Sequence, residues 1–282
     1  MLCFLSRPFS LSLWVCITFL PCAQLKRDFS NDGIYLDEIA YDRVTLMRSR
    51  TQLGPEGVVD HHSDRGAFCQ SPANNYMELF PFIDRLWYGE GFPYDDATAD
   101  FWFIEMSGIP FGVTADMLRY PGETPYHFKG FVHAESNRWQ SGQQPGQEDD
   151  PFTPIGLWDL WRSFGIEESE MFGWWRSLEQ GAQSVPIAVS HDPLVKVTTY
   201  LRFGQSALVA LSSFTNTTLS GVTLSYNFTV LGFDGSSAVL SVPAIIPFQP
   251  TDLPSLPLDY SFTIPANQGF VLLLTKSVAN MY

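Results

Sequence analysis

The stretch NDGIYLDEIAYDR (residues 31–43) decides how the rest of the chain is read. An apolar run, Gly33-Ile34-Tyr35-Leu36, stops at two adjacent carboxylates, Asp37 and Glu38. A buried strand that ends abruptly in acids fits a (β/α)8-type barrel. In that fold the strands form a packed interior, and the side chains that do chemistry stand at their C-terminal ends.

Working outward, the same design recurs. GVVDHHS (57–63) reads as a second strand and carries Asp60, His61 and His62. IDRLWYGEG (83–91) is a third, with Trp87 and Tyr88 leading into Glu90. IPFGVTADM (109–117) is a fourth and brings Asp116 to its end, and KGFVHAESN (129–137) is a fifth, with His133 and Glu135. Helices are expected over 40–53, 73–80 and DFWFIEMSG (100–108), the last containing Trp102. A polar loop covers 141–154. After it, Leu157, Leu160, Trp161 and Phe164 recur at the spacing of one helix face. Strands alternating with helices imply an α/β domain over residues 25–182, built on a parallel sheet or barrel. For Glu38, Asp42 and Asp116 a second reading stands beside the first: acids also serve as caps and first-turn charges at helix N-termini.

The remainder, residues 183–282, changes character. In GVTLSYNFTV (221–230) Val222, Leu224, Tyr226, Phe228 and Val230 alternate with polar residues, the period of a half-buried strand that puts Asn227 on the wet face. LVKVTTYLRF, SALVALSSF, SSAVLSV, DYSFTI and GFVLLLT add further strands between turn residues. Many short strands predict an antiparallel β-sandwich. It holds no constellation of titratable residues.

Composition narrows the function. The 282 residues carry a net charge of −14 and 15% aromatics, including 8 Trp and 23 Phe. Without a Lys/Arg run, an acidic chain lacks the cationic contacts that nucleic acid demands. Acidic clefts with aromatic walls suit neutral polar ligands such as sugars. Trp87, Tyr88 and Trp102 are candidate walls for a sugar ring, or core residues. Asp60, His61 and Asp116 are candidates to hydrogen-bond its hydroxyls. Adjacent histidines on a strand face opposite sides, so His61 and His62 cannot share one ion, and no metal site is expected. No Gly-rich phosphate loop and no nucleophilic Ser elbow is present, so no cofactor is expected.

Residues 1–24 stand apart. Arg7 precedes an apolar stretch over 11–20, with small residues near a cut after Ala23. That pattern resembles a secretory leader, too short to span a bilayer comfortably, so no membrane span is expected in the mature chain. Cys3, Cys16 and Cys22 lie within it, which leaves Cys69 alone and no disulfide framework. Sequons at Asn216 and Asn227 fit a secreted or lysosomal glycoprotein.

Together, DGIYLDEIAYDR, NNYMELFPFIDRLWYGEGF, DFWFIEMSGIPFGVTADML, LWDLWRSFGI and MFGWW resemble the barrel of a secreted glycosidase-like group described as glycoside hydrolase family 123-like. The resemblance covers residues 30–180. It implies removal of N-acetylgalactosamine by an adjacent Asp-Glu pair, with the substrate's own acetamido oxygen as nucleophile. Asp37 would then orient the acetamido group, and Glu38 would protonate the leaving oxygen. The chain is also similar to retaining barrel hydrolases such as α-galactosidases. That likeness implies a different pairing: Asp37 at the end of barrel strand four as nucleophile, and Glu90 at the end of strand six as acid. A full barrel has eight strands, whereas five are visible here. The expectation is therefore an incomplete barrel entered at strand four, with exposed strand edges. Three functional classes remain: a glycosidase, a non-catalytic carbohydrate-binding or interaction protein, and a truncated inactive fragment. Nothing in the sequence specifies an oligomeric state.

Overall fold

The computed structural model describes residues 33–36, 58–62, 84–88, 94–117, 126–137, 154–178 and 187–277. The chain forms two compact units, one of residues 1–94 and 100–119, the other of 95–99 and 120–282.

The first unit is built on parallel strands. β1 (Gly33–Leu36), β2 (Val58–His62), β3 (Arg85–Tyr88) and β4 (Thr114–Met117) lie side by side in sequence order. All three pairings are parallel. Helix α1 (Ala99–Glu105) precedes β4. The expected fourth strand is shorter than its window, because Ile109–Phe111 forms one 3-10 turn with Pro110 near its start. Gly108 makes this turn possible. Its φ is +65°, and a Cβ there would stand 2.4 Å from the carbonyl oxygen of Val113, a separation that admits no side chain. Trp102, Met106, Ala115 and Met117 are buried in this unit.

The second unit opens with helix α2 (His127–Phe131), where a fifth strand was expected over 129–137. The reason is spacing: Phe128, Phe131 and Val132 recur at i, i+3 and i+4, and all three are buried. Phe128 lies just outside the expected strand window, which hides the helical period. Only Ser136–Asn137 forms a strand, β5. Helix α3 (Ile155–Phe164) follows as the spacing predicts, with Leu157 and Phe164 buried and Gly165 closing it at φ +73°.

From there the unit is sheet-rich. β6 (Glu170–Phe172), β7 (Ala188–Ser190), β8 (Val195–Arg202), β9 (Ser206–Ser213), β10 (Leu219–Val222) and β11 (Leu224–Tyr226) come first. After the short helix α4 (Phe228–Leu231) come β12 (Ala238–Val242), β13 (Leu253–Leu256), β14 (Phe262–Ile264) and β15 (Gly269–Lys276). Six of them form one sheet in the order β13-β12-β15-β9-β8-β6, antiparallel throughout. β10 pairs with β14 and β11 with β7. The alternating stretch at 221–230 is not one strand. Asn227 turns the chain into α4, its Oδ1 accepting from the backbone N–H of Val230 at 3.3 Å. A good N-cap here overrides a period of two.

The six-stranded sheet is covered on both faces. One face shares a core with the small pairs: Val197, Leu201, Val209, Leu211, Leu240, Leu272 and Leu274 cluster with Ile187, Val222, Leu224, Phe262 and Ile264. The other face meets the helices. The rings of Phe131 and Tyr200 stack 4.9 Å apart, and Trp161 lies 4.9 Å from Phe131. Tyr200 donates to the carbonyl of Phe131 at 3.0 Å, and Thr198 to that of Val132. Gly269 lets α2 come close, since a Cβ there would lie 2.9 Å from that of Phe128. Cover on both sides explains why LVAL in β9 and VLLL in β15 are continuous apolar runs rather than alternating ones.

Candidate active site

The parallel strands set the site by register. Residues opposite one another in a parallel sheet share a face, and positions two apart along a strand return to it. Tyr35 pairs with Asp60, Asp60 with Arg85, and Arg85 with Thr114. Two residues on, toward the C-terminal end, His62 pairs with Trp87 and Trp87 with Asp116. These two rows belong to the same face. His61 stands in the intervening row, with Leu36, Leu86 and Ala115, and Tyr88 pairs with Met117. By register, Asp60 and Arg85 share one row and His62, Trp87 and Asp116 the row two positions on, whereas His61 and Tyr88 fall in the alternate rows. His62 was recoverable from the sequence by counting two residues on from Asp60.

Burial rises along β4: Thr114 is exposed, whereas Asp116 is only 4% exposed. A carboxyl held inside at the end of a strand is costly unless polar groups receive it. Trp102, a candidate sugar wall, is fully buried and packs 5.4 Å from Tyr94. It is a core residue of this unit, with no open face for a ligand. Asp37, Glu38 and Glu90, like Asp42 and the helices expected over 40–53 and 73–80, lie outside the described residues.

One titratable group escaped the sequence reading. Glu105 ends α1 and is buried, which raises its carboxyl above the usual range. No spacing rule points to it, because its burial comes from tertiary packing.

His133 and Glu135 belong to the second unit, in the turn after α2, and both are buried. His133 Nδ1 donates to the carbonyl of Lys129 at 2.8 Å. Its ring lies parallel to Trp175 at 6.4 Å and edge-on to Trp174 and Phe214. Burial pushes it down to about 4, so at neutral pH it is an uncharged packing residue. Lys129, also fully buried, is lowered to about 8 by desolvation, partly offset by Asp95 and Asp96. Its ammonium sits over the rings of Tyr126 and Phe214, at 5.5 and 5.1 Å. Among the described residues no group of three His, Cys, Asp or Glu could hold a metal ion. No described helix is long and apolar enough to cross a membrane.

Residues 11–140 match the glycoside hydrolase 123 TIM-barrel domain, and residues 153–275 match the glycoside hydrolase 123 C-terminal domain. The chain belongs to the glycoside hydrolase 123 family. A GH27 β-L-arabinopyranosidase from Geobacillus stearothermophilus, in complex with arabinose, superposes with a TM-score of 0.54 at 12% identity, over 91% of this chain and 61% of that one. An α-amylase from Anoxybacillus reaches a TM-score of 0.49 at 8% identity, over 91% and 62%. This glycoside hydrolase 123 chain thus spans 61% of the length of the arabinopyranosidase, and the likeness is one of fold. No curated protein matches it. Membership gives the chain a TIM-barrel-like part and a sheet-rich C-terminal part.

Proposed function

We propose that this chain hydrolyses a terminal hexosaminide or a related glycoside, with carboxylates carried at the ends of its parallel strands. The observation that carries the reading is the row of His62, Trp87 and Asp116 at the C-terminal end of the sheet, in a chain of glycosidase family. Asp37 follows Leu36 directly in the sequence, and Leu36 pairs one register before that row. Glu90 follows Tyr88 by two residues.

Two chemistries fit these residues. In the first, Asp37 orients the substrate's acetamido group, whose oxygen attacks the anomeric carbon while Glu38 gives its proton to the leaving oxygen. In the second, Asp37 itself attacks the anomeric carbon and Glu90 protonates the leaving group. For the second, carboxyls about 5 Å apart give retention, and a wider gap admits water and gives inversion. In both, the acid must keep its proton near neutrality, which burial or a neighbouring negative charge achieves. Asp60 and Asp116 would accept hydrogen bonds from sugar hydroxyls, and Trp87 would supply an aromatic wall. The sheet-rich part, an antiparallel sandwich on this reading, acts as support. A secretory leader over residues 1–24, with glycans on Asn216 or Asn227, belongs to the same proposal.

Release of p-nitrophenol from the N-acetylgalactosaminide and the galactoside tests it. Wild type should turn over one of them, and Asp37→Asn should fall to background. Turnover of the acetamido substrate alone assigns the first chemistry. Equal rates for wild type and Asp37→Asn reject the enzyme. Sugar binding without turnover would leave a non-catalytic carbohydrate protein.

A further inference from the structure

β6 is the outer strand of the six-stranded sheet among the described residues, with β8 as its neighbour. Beside it lies a cavity of about 450 Å³, lined by Glu168, Glu170, Phe172, Leu201, Phe203 and Val230. Every lining residue belongs to the second unit. Leu201 is buried, whereas Phe203, in the turn between β8 and β9, is 71% exposed. That ring is nevertheless seated. A Cβ on Gly232 would stand 2.7 Å from Phe203 Cε2 and Cζ, so the ring edge rests directly on the glycine backbone. Gly232 also has a φ of +77°. The aromatic surface is backed by main chain and open to solvent.

The two carboxylates of the groove are each held by an arginine. Arg202 donates to the carbonyl of Phe164 at 2.9 Å and to Glu168 Oε2 at 3.1 Å. Arg176 Nη1 reaches Glu170 Oε1 at 3.5 Å, and its guanidinium lies 4.5 Å above the ring of Phe172. The groove therefore offers two carboxylates, each balanced by an arginine, and the rings of Phe172 and Phe203.

This chemistry selects its ligand. Balanced ion pairs give a free anion or cation no net attraction. An open ring offers a flat apolar face, and the carboxylates of Glu168 and Glu170 offer hydrogen bonds to hydroxyls. A ligand with apolar C–H faces, many hydroxyls and no charge meets both demands. A peptide strand added along β6 fits poorly, because a strand of three residues carrying Glu170 is a short, charged edge of the kind that resists pairing. An exposed aromatic seated in a concave, mostly apolar groove with a few carboxylates is also the kind of surface that marks a binding site.

We propose that this groove binds a neutral oligosaccharide, with Phe203 as stacking platform and Glu168 and Glu170 as hydroxyl acceptors. The site is independent of the chemistry assigned to Asp37, which allows the two to be tested apart. Isothermal titration of the full chain with maltotetraose, tetra-N-acetylchitotetraose and galactotriose is the measurement. At least one should bind wild type with a dissociation constant between micromolar and millimolar. Phe203→Ala should weaken it at least about tenfold, with Glu168→Gln weakening it less, while Asp37→Asn binds as wild type does. Should Phe203→Ala lower the melting temperature, Glu168→Gln carries the comparison alone. The proposal is overturned if none of the three saccharides binds. It is overturned equally if the groove variants bind as tightly as wild type, or if Asp37→Asn abolishes the binding. A concentration-dependent dimer that Phe203→Ala dissolves would assign the groove to a second copy of the chain instead.

Discussion

The two units use strands in opposite ways. In the first, parallel strands of four or five residues bring polar positions to one register at their C-terminal ends. In the second, β8, β9 and β15 run eight residues each, and Ala207 to Leu211 of β9 are wholly buried. Polar side chains there serve the backbone. Gln249 donates to the carbonyls of Pro243 and Val271 and accepts from the N–H of Val271. Thr198 and Tyr200 tie the sheet to α2. The contrast teaches where function has room. A long strand covered on both faces is a frame, and its polar groups are committed to holding that frame. On the proposed reading, the residues at and just beyond the ends of the short strands are left for a ligand.

The sharpest way to break this contrast is to remove one carboxylate from the first unit. Asp37→Asn should lower glycoside turnover by about 10²- to 10⁴-fold, measured by p-nitrophenol release, while urea unfolding stays close to wild type. Leu272→Ala in β15 should do the reverse. It opens a hole in the buried sheet and should cost roughly 2–5 kcal/mol by urea titration, with turnover per folded molecule unchanged. If it alters turnover rather than stability, the frame and the chemistry are not separate. Acid sharpens the picture further. His133 titrates at about 4 when folded, against an ordinary value of 6.5. As pH falls through that window the unfolded chain takes up the proton first, so stability falls with it, by about 3 kcal/mol. His133→Asn should show a smaller loss of urea stability between pH 6.5 and 4 than wild type. The smallest effect belongs to Tyr200→Phe, which removes the bond to the Phe131 carbonyl and should cost about 1 kcal/mol, again without touching turnover.

Much of the fold is legible in the sequence because its signals are local. The stretches at 33–36, 58–62 and 85–88 read as strands from their sequence, and α3 is a helix by the spacing of Leu157 and Phe164. What the sequence hides depends on context. Window placement conceals α2, since Phe128 completes its helical period one residue before the apparent strand. Asn227 keeps the alternation of a strand while capping a helix. The candidate site was half legible: acids at strand ends are visible in one dimension, but only the pairing shows that His62, rather than His61, shares a row with Trp87 and Asp116. Glu105 was invisible, because burial of a helix-end carboxyl is a property of the packed unit.

The cover that α2 and α3 give to the six-stranded sheet bears on how the gene can be cut. A recombinant piece beginning at residue 183 would look like a tidy all-β module on paper. It would, however, leave Tyr200 and the strand surface around it bare, and that face would seek other chains. An autonomous fragment has to start before His127, so that the piece carries its own lid.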